Sequence, residues 1–211
     1  MLKTTFKTKP EMDIYIQEQK VRQYKGYLTC SERRLLQEMI DNPNKYIIEE
    51  KLNPHIKKII TDISILRKSC QLVTKEDNID EIINSLKETL KSIGGLGLST
   101  NQIGYNKQIS YCKIPKLNSK TKQLEYNEII LINPKIIEKE RKIIFKNEGC
   151  LSIPYIRVDT DRYVFITVKN HDKNLKEQIF MAQDLESFVI QHELDHLNGI
   201  TILERKHRKK R

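Results

Sequence analysis

The most constraining feature of the sequence is a run near its C-terminal end in which three residues separate two histidines. His192 and His196 lie in the run QHELDH at residues 191–196, with Glu193 beside the first histidine. On an α-helix, positions i and i+4 lie one above the other, so the two imidazoles can share one cation while Glu193 stands beside it. The run therefore predicts a helix that carries a hydrolytic metal site.

The residues before and after this run predict the same helix. Leu185, Phe188 and Val189 precede the histidines at helical spacing and continue an apolar stripe into the interior. Asn198-Gly199 then supplies a stop signal. We expect the three apolar side chains to wall a pocket for an unbranched side chain, with ordinary core packing as the alternative interpretation.

A metal site on this helix needs a third ligand besides the two histidines, because a catalytic metal usually takes three protein ligands and leaves one position open. Downstream, only Glu204 and His207 follow, and both lie in a basic terminal segment. Upstream, Cys150 in the run EGCLS at residues 148–152 is a better candidate, since bound metal would keep its sulfur as a thiolate. The alternative interpretation of a lone cysteine is a small buried apolar residue.

A third segment, GLGLSTNQIG at residues 95–104, offers backbone and amide groups to a ligand. Its glycines allow close approach of the backbone, and the side-chain amide of Gln102 can donate to a developing oxyanion. The Gly-x-Gly pattern alone is weak, because the segment lacks the third glycine of a dinucleotide-binding loop.

The three segments together resemble the peptide deformylase family in their order and approximate spacing. The motifs of that family are GxGxAAxQ, EGCLS and QHExDH, and the second and third are intact here. In the first, Ser99 and Thr100 stand where two alanines are usual, a small change in volume that we expect to be tolerated. Further matches are ILR at residues 65–67, INP at residues 132–134, Arg157 and Arg162.

The resemblance implies removal of the N-formyl group from the initiator methionine of new polypeptides, with release of formate. Cys150, His192 and His196 would hold the metal, natively Fe(II), with Zn, Ni or Co as substitutes. Glu193 would move the proton from water to the leaving amine. The metal, the Gln102 amide and the backbone N–H of Leu151 would meet the oxyanion.

The substrate peptide is expected to bind as an added strand. The strand-like edges at Leu96 and Gly149 can pair with its backbone, which would explain tolerance of sequence beyond methionine. The complete predicted substrate-binding set is Leu96, Gly97, Gly149, Leu185, Phe188 and Val189.

Periodicity predicts an α+β fold, with strands between an earlier helix and the histidine helix. A helical stripe fills residues 79–93, and strands are predicted at residues 109–114, 128–132, 143–145, 163–168 and 178–181. Residues 116–125 are predicted to be a polar, hairpin-like loop. We expect small mixed or antiparallel sheets around a central metal-binding helix.

Three segments are expected along the chain. Residues 1–57 form a helical extension of unknown role, residues 58–205 the deformylase-like catalytic domain, and residues 206–211 a basic tail. Within the extension, Ser31 is predicted to cap one helix, and a second helix is predicted at residues 46–52.

Composition bears on location and partners. Four scattered cysteines favour a reducing compartment, and no run approaches the roughly 18 apolar residues of a membrane span. Acidic residues near the N-terminus argue against an organelle transit peptide. We expect a cytoplasmic protein that does not bind membranes, with an organelle matrix as the alternative.

The net charge of +10 is partly concentrated in RKHRKKR at residues 205–211. Such a tail can dock weakly on ribosomal RNA phosphates, with a solvated end as the alternative. Two other functions stay open. A zinc metallopeptidase usually takes its third ligand downstream, and a catalytically silent, ribosome-binding relative would not need the intact Cys150, His192, Glu193 and His196.

Overall fold

The computed structural model describes residues 29–42 and 53–208, with residues 13, 15, 16, 18 and 19. It divides into two compact units, Met1–Asn53 and Pro54–Arg211. The functional division that the sequence predicts after residue 57 stays a prediction.

In the first unit, helix α1 (Cys30–Asp41) begins with a capping box. The Thr29 hydroxyl accepts from the Glu32 N–H at 3.2 Å, while the Glu32 carboxylate accepts from the Thr29 N–H at 3.0 Å. Ser31 as the predicted cap is therefore wrong by two positions, because Thr29 has the glutamate at the spacing that a capping box needs. The helix predicted at residues 46–52 lies outside the described residues.

The second unit contains two three-stranded antiparallel sheets, and in each the strands follow chain order. The first comprises β1 (Gly97–Ser99), β2 (Ile109–Leu117) and β3 (Leu124–Ile132). The second comprises β4 (Lys135–Cys150), β5 (Ile153–His171) and β6 (Glu177–Gln183). The predicted α+β class is confirmed, and the sheets are antiparallel. Strands β1 and β4 lie at the edges of their sheets.

The predicted strands are too short in the second sheet. Strand β4 has 16 residues and β5 has 19, whereas the sequence predicts residues 143–145 and 163–168. Much of β4 is exposed and carries lysine and glutamate, so a pattern based on apolar residues does not register it. The polar segment at residues 116–125 is indeed a hairpin, but both strands extend into it as far as Leu117 and Leu124.

The helices of the second unit are α2 (Ile63–Leu66), α3 (Ile79–Ile93), α4 (Asp184–Leu197) and α5 (Ile202–Arg205), with a 3₁₀ turn at Thr100–Ile103. Helix α3 has the predicted bounds, since the Asn78 side chain caps it and Gly94 ends it. Its buried stripe packs on the first sheet. The helix contributes Ile82, Ile83, Leu86 and Leu90 to this core, and the sheet contributes Leu98, Ile109 and Tyr111.

Helix α4, which carries the QHELDH run, contacts β1 and β2 of the first sheet and β5 and β6 of the second. Ile190 and Leu194 anchor it in a core shared with Leu131 and Ile166. The predicted stop is correct. Gly199 has φ +70°, and a Cβ there would lie 2.4 Å from the Arg67 carbonyl oxygen.

Two further properties concern the described residues alone. None of their helices is long and apolar enough to cross a bilayer. Their four cysteines, Cys30, Cys70, Cys112 and Cys150, are free thiols.

Candidate metal centre and active site

Three side chains with ligand atoms converge where β4 ends against helix α4. Cys150 is the last residue of β4, and His192 and His196 project from α4, so that their ligand atoms all lie within 4.8 Å of one another. The Cys150 Sγ is 3.1 Å from the His196 Nε2. One thiolate and two imidazoles are donors that suit zinc or iron, so these residues fit a catalytic transition metal.

The two downstream alternatives lie elsewhere. The Glu204 carboxylate accepts from the Arg67 guanidinium at 2.5 Å, and the His207 Nδ1 is 2.8 Å from the Asp161 carboxylate. Of the candidate third ligands that the sequence offers, the structure therefore brings Cys150 to the histidines and neither of these two.

A carboxylate orients the first histidine. The His192 Nδ1 is 2.6 Å from the Glu148 Oε1, which leaves the Nε2 for a metal. Burial raises the pKa of Glu148, but hydrogen bonds from His192 and Arg162 outweigh burial and hold that pKa well below its usual value. Burial lowers the pKa of His192, but its hydrogen bonds with Cys150 and Glu148 raise it to about 10, so a metal that binds here must displace a proton from this imidazole. Burial holds the pKa of His196 well below its usual value, so this imidazole is neutral, as a ligand must be.

Arg162 extends this support from strand β5. Its side chain is 3% exposed and donates to Glu148 at 2.5 and 2.9 Å and to Asp195 at 2.6 Å. Arg205 also binds Asp195, at 2.6 Å. Asp195 is 8% exposed and belongs to a buried ion network that joins α4 to β5. Gln191 also joins them, because its amide binds both backbone groups of Tyr163.

Glu193 lies beside the three candidate ligands and is 2% exposed. Burial raises the pKa of its carboxyl. The Ser99 Oγ lies 2.6 Å from its Oε2, and a Cβ on Gly97 would lie 2.3 Å from its Oε1. Position 97 therefore requires glycine because the Glu193 carboxylate packs against it. The sequence suggests glycine there only because it allows the backbone to approach a ligand closely.

Gln102 lies in the 3₁₀ turn and is 1% exposed. Its Oε1 accepts from the Ser99 N–H at 2.8 Å, and its Nε2 donates to the Ser152 Oγ at 3.1 Å. The same Nε2 is 3.8 Å from the Cys150 Sγ. The amide is thus held with its N–H groups toward the candidate metal ligands, the orientation that an oxyanion donor needs.

A cavity of about 450 Å³ opens on these groups. Its lining includes every predicted substrate-binding residue, together with Gln102, Cys150, Leu151, His192 and Glu193. Arg157, one of the further family matches, also lines the cavity, whereas the sequence assigns no site role to four other lining residues, namely Phe145, Ile153, Tyr155 and Ile156. Phe145 packs on Phe188, with ring centroids 4.7 Å apart.

Neither Glu148 nor Ser99 has a predicted role in the site. A signal existed for Glu148, because it opens the EGCLS run and a metal-binding histidine commonly donates to a carboxylate. For Ser99 the only signal is its departure from the usual alanine. Its contact with Glu193 joins residues 94 positions apart, and no local pattern indicates such a contact.

An α+β fold that brings a cysteine, two histidines and a buried carboxyl group together beside one cavity is typical of metal-dependent hydrolases. Comparisons with known proteins identify the family within this class. The family model described as polypeptide deformylase matches residues 55–211. Peptide deformylase 1 of Nostoc sp. is 34% identical over 166 residues, which is 77% of this chain and 86% of the relative. The peptide deformylase of Brachyspira hyodysenteriae is 37% identical over 141 residues, which is 66% of this chain and 74% of the relative.

A solved structure of the same family is also similar to this chain. The crystal structure of peptide deformylase from Ehrlichia chaffeensis is 32% identical and has a TM-score of 0.64, covering 72% of this chain and 89% of that one. The chain belongs to the peptide deformylase family. The His-Glu-x-x-His pattern does not carry this assignment, because the pattern by itself occurs in unrelated helices.

Proposed function

We propose that this chain removes the N-formyl group from the initiator methionine of new polypeptides at a metal held by Cys150, His192 and His196. One observation carries the proposal. The three candidate ligands lie close together, and two of them, Cys150 and His192, line a cavity that Glu193 and Gln102 also line. Members of this family are metal-dependent deformylases, which indicates the reaction. The site contains the metal ligands, the carboxyl group and the amide donor that this reaction needs.

The metal is proposed to be Fe(II), with Zn, Ni or Co as substitutes. Imidazole and thiolate ligands suit these ions better than Mg²⁺ or Ca²⁺, which prefer oxygen ligands. When bound, such an ion supplies Lewis acidity and makes a water molecule nucleophilic near neutral pH.

Glu193 and Gln102 carry the steps that belong to the chain. Glu193 takes a proton from water as the water oxygen bonds to the formyl carbon. The Gln102 N–H and the Leu151 backbone N–H donate to the oxyanion that forms. Glu193 then gives its proton to the amine nitrogen as the C–N bond breaks, so that formate and a free N-terminus result. A carboxyl whose pKa is raised by burial suits both transfers, because it accepts and releases a proton closer to neutral pH.

The peptide is proposed to bind between two sheet edges. Strands β1 and β4 are both edge strands, and Leu96, just before β1, and Gly149, in β4, line the same cavity. A peptide strand can therefore pair with backbone at either edge. Leu185, Phe188 and Val189 line that cavity from helix α4 and are proposed to receive the methionine side chain.

Residues 58–205 are proposed to be the catalytic domain and to act in the cytoplasm, with residues 1–57 as an extension. Residues 206–211 are proposed to dock weakly on ribosomal RNA through their charge. Part of this tail pairs with β5, since the His207 N–H donates to the Asp159 carbonyl at 2.6 Å and Lys206 bridges to Thr160. The silent-relative and zinc-peptidase alternatives are not favoured, because family membership and the candidate site point to the same reaction.

The proposal is tested by formate release. Protein loaded anaerobically with Fe(II) is expected to release one formate per formyl-Met-Ala-Ser consumed, while unformylated Met-Ala-Ser yields none. Metal-saturated protein that releases no formate from the formylated peptide would contradict the proposed function.

A further inference from the structure

We propose that Ser99 is a positioning residue that fixes the carboxylate of Glu193 for proton transfer. This inference rests on the proposed function only in treating Glu193 as the base. Alanine is usual at this position of the first deformylase motif, so the hydroxyl is a departure from that motif.

The contact is double and buried. The Ser99 Oγ lies 2.6 Å from the Glu193 Oε2 and 3.1 Å from the Glu193 backbone oxygen. Ser99 is 0% exposed and Glu193 is 2% exposed, so water does not compete with the hydroxyl for the carboxylate. One side chain of β1 thus contacts both the main chain and the side chain of the same residue in α4.

A second serine completes the arrangement. Ser110 is the antiparallel partner of Ser99 across β1 and β2, and their hydroxyl oxygens are 2.6 Å apart. An ionised carboxylate only accepts hydrogen bonds, so Ser99 uses its single hydrogen on Glu193 and accepts one from Ser110. The result is a directed chain of hydrogen bonds from β2 through β1 to the carboxylate.

The position of Gly97 indicates which way each oxygen of the Glu193 carboxylate faces when Ser99 binds it. Ser99 binds Oε2, while Oε1 is the oxygen that lies against Gly97, two residues earlier in the same strand. Gly97 lines the cavity, whereas Ser99 is not among its lining residues. The bond to Ser99 therefore holds one oxygen on the buried side and leaves the other on the side from which water and substrate come.

Loss of the hydroxyl should act on the chemical step. A poorly placed catalytic group can lower the rate by up to about 100-fold. Because Ser99 does not line the cavity, Ser99→Ala is expected to lower kcat about 10-fold and to change KM by less than about two-fold. Metal content should equal that of the wild type.

Thr100 offers a matched control. It is the adjacent buried residue that also replaces a usual alanine, and its hydroxyl donates to the Lys107 carbonyl oxygen rather than to Glu193. Thr100→Val removes that hydroxyl at nearly constant volume and is expected to keep kcat. Equal losses of kcat in Thr100→Val and Ser99→Ala would contradict a specific role for Ser99.

A double-mutant cycle with Glu193→Ala tests the route of the effect. If Ser99 acts through the carboxylate, Ser99→Ala lowers kcat in the wild-type background and has no further effect once Glu193 is alanine. The same loss in both backgrounds would overturn the inference, because Ser99 would then act on the fold or on another group.

Crystal structures of Ser99→Ala and Thr100→Val separate this inference from the proposed function. The Glu193 carboxylate is expected to move or to occupy several rotamers in Ser99→Ala and to stay in place in Thr100→Val. An unmoved carboxylate in Ser99→Ala would refute the positioning role whether or not the protein releases formate. Absence of formate release by the wild type would refute the function and leave this structural comparison decisive.

Discussion

At the residue scale, the proposed mechanism separates metal binding from proton transfer, and Glu193 tests that separation. Its carboxylate is held by Ser99 and is not one of the three candidate ligands. Glu193→Ala is expected to keep stoichiometric metal and to lose about 100-fold or more in kcat. Metal analysis and formate release on the same sample check this. Near-normal turnover would remove Glu193 from the mechanism.

Gln102 is expected to bind charge that exists only in the transition state. Its amide is fixed at both ends before substrate arrives, so Gln102→Ala should lower kcat with little change in KM. The loss should be at most about 3 kcal/mol in activation free energy for one oxyanion donor. Steady-state kinetics measure this, with Gln108→Ala as a control amide outside the cavity. A raised KM with unchanged kcat would instead assign Gln102 to ground-state peptide binding.

Single residues of the site differ in how far the sequence predicts them. His192 and His196 are predictable because helical spacing alone places both on one face. Cys150 and Gln102 depend on the resemblance to a family, since nothing local brings them near the histidines. The contacts of Ser99 and Arg162 with α4 could not be predicted, because they depend on how distant strands pack against the helix.

At the element scale, helix α4 is joined to the second sheet by a buried ion network, which makes Arg162 a structural test. Removing one partner leaves buried charge without compensation, and Arg162→Met is expected to lower the free energy of unfolding by about 3–5 kcal/mol. The control is Lys146→Met, which breaks a surface pair in which Lys146 is 66% exposed, and about 1 kcal/mol at most is expected. Urea unfolding measures both, and equal losses would contradict the buried network.

Glu204 in helix α5 is expected to make the stability of the protein depend on pH. Burial raises the pKa of Glu204, but hydrogen bonds from Thr201 and Arg67 outweigh it and lower this pKa to about 2. A carboxyl with a lowered folded pKa stabilises the protein above its unfolded value of 4.5, and this contribution is lost as the pH falls toward 2. Glu204→Gln should therefore be less stable than wild type at pH 7, and the difference should shrink in acid. Unfolding of both metal-free proteins across this range measures it, and a constant difference would contradict the assignment.

The elements were predictable where periodicity is clean. Helix α3 has its predicted bounds because a regular apolar stripe lies between a capping asparagine and a glycine. For β4 the sequence predicts only residues 143–145 and a strand-like edge at Gly149, because the exposed face of this strand is charged. For β1 it predicts only a strand-like edge at Leu96, because three residues are too few for a pattern. Both are edge strands, whose backbone pairing leaves little trace in side-chain hydrophobicity.

At the scale of the whole molecule, the positive charge of the C-terminal residues can be tested for a role in ribosome binding. Deleting Lys209, Lys210 and Arg211 removes positive charge and keeps Lys206 and His207, which pair with β5. Turnover of a free formyl tripeptide should not change. Ribosome binding should weaken and depend less steeply on salt, because fewer counterions are released. Sedimentation with ribosomes at two salt concentrations measures this, and identical binding by both proteins would eliminate docking through these residues.

The α+β class of the whole molecule follows from the order of its helices and strands, and hairpin connections account for strand order within each sheet. That β1 and β4 border one cavity does not follow from order, because it depends on how two separate sheets pack around α4. The sequence therefore predicts which motifs contribute to the site, but only the structure shows that they lie together at one cavity.

The central claim is that one metal, held by Cys150, His192 and His196, supports deformylation. Its most direct test is to measure bound metal and formate release together in three single alanine variants of these residues. Each variant is expected to lose stoichiometric metal and turnover in parallel, while Cys70→Ala, which replaces a buried cysteine that is not a candidate ligand, keeps both. Full metal occupancy and full activity in Cys150→Ala would contradict the account.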